Sequence, residues 1–413
     1  MIANVTNCCT TGFTSSLTFI SITDCRLLPI SKLKSKMDPL LLCMEEEEKT
    51  KPVKECEPET DATKSHPSWL ISNVYSASQW IKARDYLGVP RPRDFRMTTF
   101  SIPALDKREI LVEVLCWSVE NYMREFEIPP GSPMVGEVIG SVVASRHRDY
   151  KPMMLVTCAA GWRTHSVFKP DESRVKAVRD ILDFPASVYL GPLGMPGLLA
   201  YFSFLKICKP QPGNIVLVNA AAGSVGSVIG QLAKIKGCTV IAFASSRDRC
   251  AWIRELGFDY VYHKSVTVSA ALARQAHKGV DFFFDCVGAE FTKEAVQHMK
   301  RDGTICMFGY NSCYARRVRM DAARRCDPYR MLYMRQARVQ SCSLLDFQDR
   351  FDEAETQILD WMAQGKLRYR ETMFEGFHRL PEALNALYED SSVGTVLVKS
   401  DQVDDLSTSL IQL

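Results

Sequence analysis

Between Asn214 and Gln340 short apolar runs alternate with helical stretches, and this alternation limits the possible folds more than any other feature. "NIVLVNA" reads as a buried strand and "SVGSVIGQLAKIKG" as a helix with a glycine stop. "TVIAFAS" is the next strand, "DRCAWIRELGF" a helix and "YVYH" a short strand. "GVDFFFDCVG", "TICMFGY" and "RVQSCSLL" follow, with helical segments between them. Strands joined through helices run parallel, because each crossover returns the chain to the same end of the sheet. The expectation is an α/β chain with a doubly wound parallel sheet.

Upstream the texture differs. From Trp69, runs such as "EILVEVLCWSV", "VIGSVVAS" and "MMLVTCAA", broken by Pro and Gly, read as a β-rich module that gives way near Val188. The last fifty or so residues read as a helix, a shorter helix and an edge strand, "GTVLVKS". Residues 1–65 carry a Ser/Thr-rich stretch and the charged tract "CMEEEEKTKPVKECEPETDATK", which cannot bury much apolar surface, so disorder is expected there. The first 36 residues contain one acid, Asp24, and suit either a targeting segment or a dispensable tail with later starts at Met37 or Met44. With 413 residues the chain can form two medium domains. A net charge of +3 gives no reason to expect nucleic acid as a partner, and no apolar run reaches the length of a membrane span. Fifteen cysteines form no CxxC pair and no zinc-like spacing, so no metal is expected. Those in runs such as "TICMFG" and "FFFDCVG" sit singly among apolar residues, which suits a reducing, cytoplasmic setting.

The first helix of the alternating region opens on a glycine turn. Ala221-Ala222-Gly223-Ser224-Val225-Gly226 follows G-x-G-x-x-G with alanine in the first slot. Lying between a strand and a helix, it is placed to bring backbone N–H groups to a pyrophosphate. Gly223 would let the backbone approach the phosphates, and Gly226 and Gly230 would allow close helix–sheet packing. The alternative is a tight turn with no ligand. The next strand ends in Ser245-Ser246-Arg247-Asp248-Arg249. A carboxylate in this position suits NAD, whereas two hydroxyls and two guanidiniums suit the 2′-phosphate of NADPH. Each charge-assisted bond is worth about 1.5–3 kcal/mol, roughly tenfold to a hundredfold in affinity. Lys264, past the following strand, could add a cation. A solvated, charged helix start is the competing account; NADPH is the expected cofactor.

These residues, with "LGPLGMPGLLAYF" (190–202), "RELGFDYV", "FDCVGAEF", "GTVLVKS", "SVENYMR" (118–124) and "GWRTHS" (161–166), carry a family likeness. From about residue 68 to 400 the chain resembles the prostaglandin reductase, or leukotriene B4 12-hydroxydehydrogenase, branch of the zinc-free medium-chain dehydrogenase/reductases. The resemblance implies a GroES-like β-rich domain over 66–187, a Rossmann NADP-binding domain over 188–344 and a return to the first domain over 345–400, leaving a tail at 401–413. It also implies a cofactor cleft between the two domains and, by analogy, a homodimer. Cofactor contacts carry over to Ala222, Gly223, Ser224, Val225 and Gly226 in the turn, beside Ser246 and Arg247, which the strand tip itself suggests. A phosphate-binding lysine of the family corresponds to Arg249 and a tyrosine to Lys264. Two cofactor-contacting asparagines correspond to Cys286 and Ser392. The loop "FGYNSCY" (308–314) contributes Gly309 and keeps the family's tyrosine as Tyr314, although Tyr310 and Asn311 add bulk. Ser341, Cys342 and Ser343 fall beside the nicotinamide.

The chemistry follows from what the first domain lacks. Zinc alcohol dehydrogenases carry G-H-E-x-x-G where this chain has "GEVIG" (136–140), without a histidine. An α,β-unsaturated ketone or aldehyde needs no such Lewis acid, because hydride added to its β-carbon leaves charge spread onto the carbonyl oxygen as an enolate. Tyr314 and Tyr122 are the candidate donors to that oxygen, each with packing as its alternative role. Arg124 suits a substrate carboxylate or an ion pair, and Trp162 a pocket wall or the core. The basic run "YARRVRMDAARRCDPYR" (314–330) either draws in an acidic, fatty-acid-like substrate or is a solvated loop. An NADPH-dependent enone reductase of the 15-keto prostaglandin or alkenal/one type is the leading expectation. Quinone reduction and a catalytically impaired NADPH-binding protein are the alternatives.

Overall fold

In the computed structural model, residues 75–401 are described apart from 126, 180, 182–183, 310–327 and 390. The extension 1–65, Tyr314 and its basic run up to residue 327, and all but the first residue of the 401–413 tail lie outside the described residues.

Alternating burial builds the first sheet. β1 (Tyr75–Lys82) and β2 (Phe95–Ile102) pair antiparallel as a separate ribbon. β3 (Ile110–Val119) pairs antiparallel with β4 (Val138–Ser145), and β4 with β5 (Leu155–Cys158). β6 (His165–Phe168) flanks β3, and β7 (Val175–Ala177) flanks β5. Along β4 the residues alternate between buried and half-buried after Gly140, which leaves one face for the core. The short helix α1 (Tyr122–Glu125) follows β3.

After α2 (Met195–Tyr201) the second sheet begins. Its strands are β8 (Ile215–Val218), β9 (Thr239–Ala244), β10 (Tyr260–His263), β11 (Val280–Asp285), β12 (Met299–Met307) and β13 (Arg338–Gln340). All pair parallel, in the order β10-β9-β8-β11-β12-β13. The central strands are continuous apolar runs because helices cover both faces: Val216, Leu217, Val240, Ile241, Phe283 and Phe284 are fully buried. Between them run α3 (Ser224–Ile235), α4 (Arg247–Glu255), α5 (Val268–Gln275), α6 (Ala289–Val296) and α7 (Pro328–Arg335). This is the doubly wound Rossmann order, in the expected α/β class beside a GroES-like β-rich part.

The chain then returns. Helices α8 (Phe351–Ala363) and α9 (Leu380–Ala386) surround β14 (Glu371–Glu375), and β15 (Thr395–Lys399) pairs parallel with β14 and antiparallel with β3. Val396 faces Val119 in that register, so the last strand lies beside the first sheet's central one. No helix among the described residues is long and apolar enough to cross a membrane.

β8 and β11 are neighbours whose onward helices diverge, and a buried polar clamp ties their ends. Asn219 Nδ2 donates to Asp285 Oδ1 at 2.7 Å, and Asn219 Oδ1 accepts from the Cys286 N–H at 2.7 Å. The N–H groups of Val287 and Gly288 and the hydroxyl of Thr292 also donate to the Asp285 carboxylate. Both clamp residues are fully buried. Removing the carboxylate would leave several donors dry. Asp285→Ala is therefore expected to lose on the order of 3 kcal/mol of stability in urea unfolding, while Glu172→Ala on the surface stays within about 0.5 kcal/mol.

Candidate functional site

The divergence of the chain after β8 and β11 opens a crevice at the carboxyl ends of the strands, where ligands bind in folds of this kind. A cavity of about 320 Å3 occupies it. One side is the glycine turn, from Asn219 through Ala222 and Gly223 to Ser224. The end of β3, with Val119, Glu120 and Asn121, and the returning chain, with Ser392, Gly394 and Val396, also line the cavity.

The turn places the N-terminus of α3 on this cavity. Gly223 is the N-cap, in extended backbone, and the first N–H groups of a helix have no partners within it. They suit a phosphate, helped by the positive end of the helix dipole. Val225 and Gly226 do not line the cavity; they enter the helix, and a Cβ on Gly226 would lie 2.7 Å from the Ala220 carbonyl oxygen. Gly230 packs as tightly, its Cβ position 2.0 Å from the Phe258 ring.

At the strand tip the two arginines separate. Ser246 caps α4, its hydroxyl accepting from the Arg249 N–H at 3.3 Å. That cap sets the phase of the helix. Arg249 is half-buried on the cavity wall, and Arg247 is exposed and off it. Arg249 Nη1 donates to Ser245 Oγ at 2.6 Å, Nε to the Ser392 carbonyl at 2.7 Å and Nη2 to Ser392 Oγ at 3.2 Å. Lys264 joins the same wall. Arg249, Ser245, Ser392 and Lys264 thus meet, and the group has the composition a terminal phosphate requires.

Other candidates are placed elsewhere. Cys286 is held in the β8–β11 clamp through its N–H, and its neighbour Val287 reaches the cavity instead. Gly309 is buried beyond β12 and off the wall. Ser341 and Ser343 are exposed and Cys342 half-buried after β13, none of them on the wall, and burial pushes the Cys342 thiol up to about 12. Tyr122 starts α1 one residue past the lining pair Glu120 and Asn121. Two placements fall on one side of readings that the sequence left open. Arg124 is not on the cavity: its Nε donates to the Gly88 carbonyl at 3.2 Å, and its guanidinium lies 4.9 Å from the Tyr86 ring centroid. Trp162 is fully buried, its ring 5.2 Å from that of Phe95, because the indole fills the core of the first sheet.

The sequence reading missed Glu120 and Asn121. Each has a buried oxygen with no hydrogen-bond partner, Glu120 Oε1 and Asn121 Oδ1, on the cavity wall. The helix N-terminus and the arginine–serine cluster fit the phosphates of a dinucleotide, and unpaired acceptors on the same cavity call for donor groups such as hydroxyls or amides. The only sequence signal was their place in "SVENYMR", two residues and one residue before the tyrosine that drew notice. Among the described residues, no group of three or more His, Cys, Asp or Glu could hold a metal ion.

Comparison with known proteins agrees along the chain. A family model described as the N-terminal domain of oxidoreductase matches residues 78–176, and one described as zinc-binding dehydrogenase matches 224–364. Prostaglandin reductase 1 of Bos taurus is 34% identical over 330 residues, 78% of this chain and 99% of that protein. The (+)-pulegone reductase of Mentha piperita is 32% identical, over 70% of this chain and 87% of its own. The crystal structure of CurA from Vibrio vulnificus in complex with NADPH superposes with a TM-score of 0.71 at 27% identity, covering 79% of this chain and 99% of that one.

The geometry separates the two arginines by experiment. Arg249→Ala is expected to weaken NADPH binding about tenfold to a hundredfold while leaving NADH binding within about threefold, as followed by nucleotide fluorescence titration. Arg247→Ala should change neither by more than about threefold.

Proposed function

Because this chain belongs to the prostaglandin reductase branch of the zinc-free medium-chain dehydrogenase/reductases, and is an NADP-dependent oxidoreductase acting on CH–CH groups, we propose that it reduces the C=C bond of α,β-unsaturated ketones and aldehydes. The observation that carries the reading is the meeting of the α3 N-terminus with Arg249, Ser245, Ser392 and Lys264 in one cavity. That arrangement fits NADPH, in a chain matching prostaglandin reductase 1 along 99% of that protein. The pulegone reductase and the NADP-dependent 2-alkenal reductase of Nicotiana tabacum support the same substrate class.

Bound NADPH supplies the hydride that adds to the β-carbon of the conjugated system. The chain's own residues do the rest. The N-terminus of α3 at Ser224 would hold the diphosphate, and Arg249 with Ser245 and Lys264 would hold the 2′-phosphate. Negative charge then develops on the substrate's carbonyl oxygen, and a phenol in hydrogen-bond reach stabilises it without losing its own proton. Tyr314 is proposed for that task, with Tyr122 as second donor from the start of α1. The resulting enolate takes a proton at its α-carbon from water or a nearby hydroxyl, completing the addition of two hydrogens across the double bond.

The test is NADPH oxidation by the full chain with 15-keto lipids, alkenals, alkenones and quinones, followed at steady state. Enone reduction is expected, with kcat lowered about a hundredfold in Tyr314→Phe and NADPH affinity unchanged. Quinones turned over far faster than every enone would move the assignment to quinone reduction. Tight NADPH binding with no turnover on the whole panel would make the protein a nucleotide-binding one without this activity.

A further inference from the structure

At the end of β3 the chain reaches the cavity with Glu120, a carboxyl that neither phosphate binding nor hydride addition employs. Glu120 Oε2 accepts a hydrogen bond from Ser224 Oγ at 3.1 Å, so the carboxyl stands at the first residue of α3. Its other oxygen is buried without a partner, as is Asn121 Oδ1 next to it. A carboxylate in that position has lost water and gained only one hydroxyl in return.

Burial accordingly pushes the Glu120 pKa up to about 7, with the Ser224 hydroxyl pulling the other way. The titratable groups brought to the same cavity by other elements are Arg249 on α4, Lys264 after β10 and Tyr388 after α9. None of them contributes to the shift, which comes from burial and the one hydroxyl. Tyr122 and Arg124 on α1 do not contribute either.

The N-terminus of α3 is also where a dinucleotide's diphosphate comes to rest. Two anions at one helix end repel each other in a medium of low polarity, whereas a neutral carboxylic acid there can donate. We propose that Glu120 acts as a protonated hydrogen-bond donor to the bound dinucleotide, so that cofactor binding draws a proton from solvent onto its carboxyl. The inference rests on NADPH occupying this cavity. Its balance is simple: the free carboxylate and one solvent proton become the acid, and no covalent bond to the ligand forms.

The sign of the linkage follows. The bound-state pKa lies above the free value of about 7. Affinity is therefore full below that value and declines as pH rises past it, about tenfold per unit until the bound-state pKa is reached. The 2′-phosphate of NADPH titrates near about 6 and contributes equally to wild type and variants.

Calorimetric titration of the full chain with NADPH at pH 7.5, in HEPES and in Tris, counts the protons through the buffers' different ionisation enthalpies. Wild type is expected to take up protons and to lose about tenfold in affinity between pH 7.5 and 8.5. Glu120→Gln, a neutral donor at every pH, should bind with nearly flat affinity over that window and take up correspondingly less. Ser224→Ala keeps the carboxyl but removes the hydroxyl that favours its charged form, so the midpoint of the affinity curve should move to higher pH. Equal proton counts in wild type and Glu120→Gln, proton release by wild type, or an unmoved midpoint in Ser224→Ala would each overturn the proposal. Absence of any binding heat or fluorescence change with NADPH would instead remove the cofactor reading on which it rests.

Discussion

A parallel backbone bridge between Gly223 and Gly394, in which the Gly394 N–H donates to the Ala222 carbonyl at 2.7 Å, fastens the returning chain to the glycine turn. The position tolerates no side chain. Gly394 has φ of +72°, and a Cβ there would lie 1.7 Å from the Arg370 carbonyl oxygen. Two residues on, β15 pairs with β3 through Val396 and Val119, so one short stretch touches both sheets. Two residues back, Ser392 is brought to Arg249. The cavity therefore exists only when segments near 120, 222, 249 and 394 are all in place. Its closure is long-range, and its cost in chain entropy is met by the paired strands and the apolar core beneath them, not by the polar groups on its wall.

Those polar groups are arranged by sign. Cations and hydroxyls gather at the tips of β9 and β10, and the helix end of α3 adds partial positive charge. Arg249 is held from several sides by Ser245 and Ser392, which fixes its planar fork before any ligand arrives. Fixing the group in advance spares part of the side-chain entropy that a mobile arginine would lose on binding. Glu120 is the exception in sign, and its burial without a second partner eases the contradiction by raising its pKa to about 7, so that protonation near neutrality costs little.

What could be read in the sequence was what depends on neighbours along the chain. The buried strands "NIVLV" and "TVIAFA" follow from apolar runs of strand length, and the turn from its glycines between strand and helix. The cluster at the strand tip was legible as a group, but the choice between Arg247 and Arg249 was not. It depends on Ser246 being the N-cap, which turns the third residue of α4 inward and leaves the first outside. Trp162 and Arg124 stayed open in the sequence for a related reason: composition does not say whether an indole or a guanidinium near a motif faces a cavity or a neighbouring ring. The Asn219–Asp285 clamp joins residues 66 apart, and it becomes visible only when β8 and β11 are known to be adjacent.

The alanines at the start of the turn find their account in the same geometry. Ala221 and Ala222 are buried, and the left-handed backbone falls one residue earlier, on Ala220, with φ of +48°. A non-glycine residue in that conformation costs about 1 kcal/mol or more. The surroundings hold it there: the Ala220 carbonyl accepts from the Gly223 N–H at 3.0 Å, and the Ala221 N–H donates to the Phe243 carbonyl at 3.2 Å. The turn is thus pinned to β9 on one side and, through Ala222, to Gly394 on the other. The close approaches that call for glycine fall inside the helix, at Gly226 and Gly230. An alanine-rich opening has fewer unfolded conformations to lose than a glycine-rich one, so a rigid phosphate cradle is obtained by anchoring the turn from outside it.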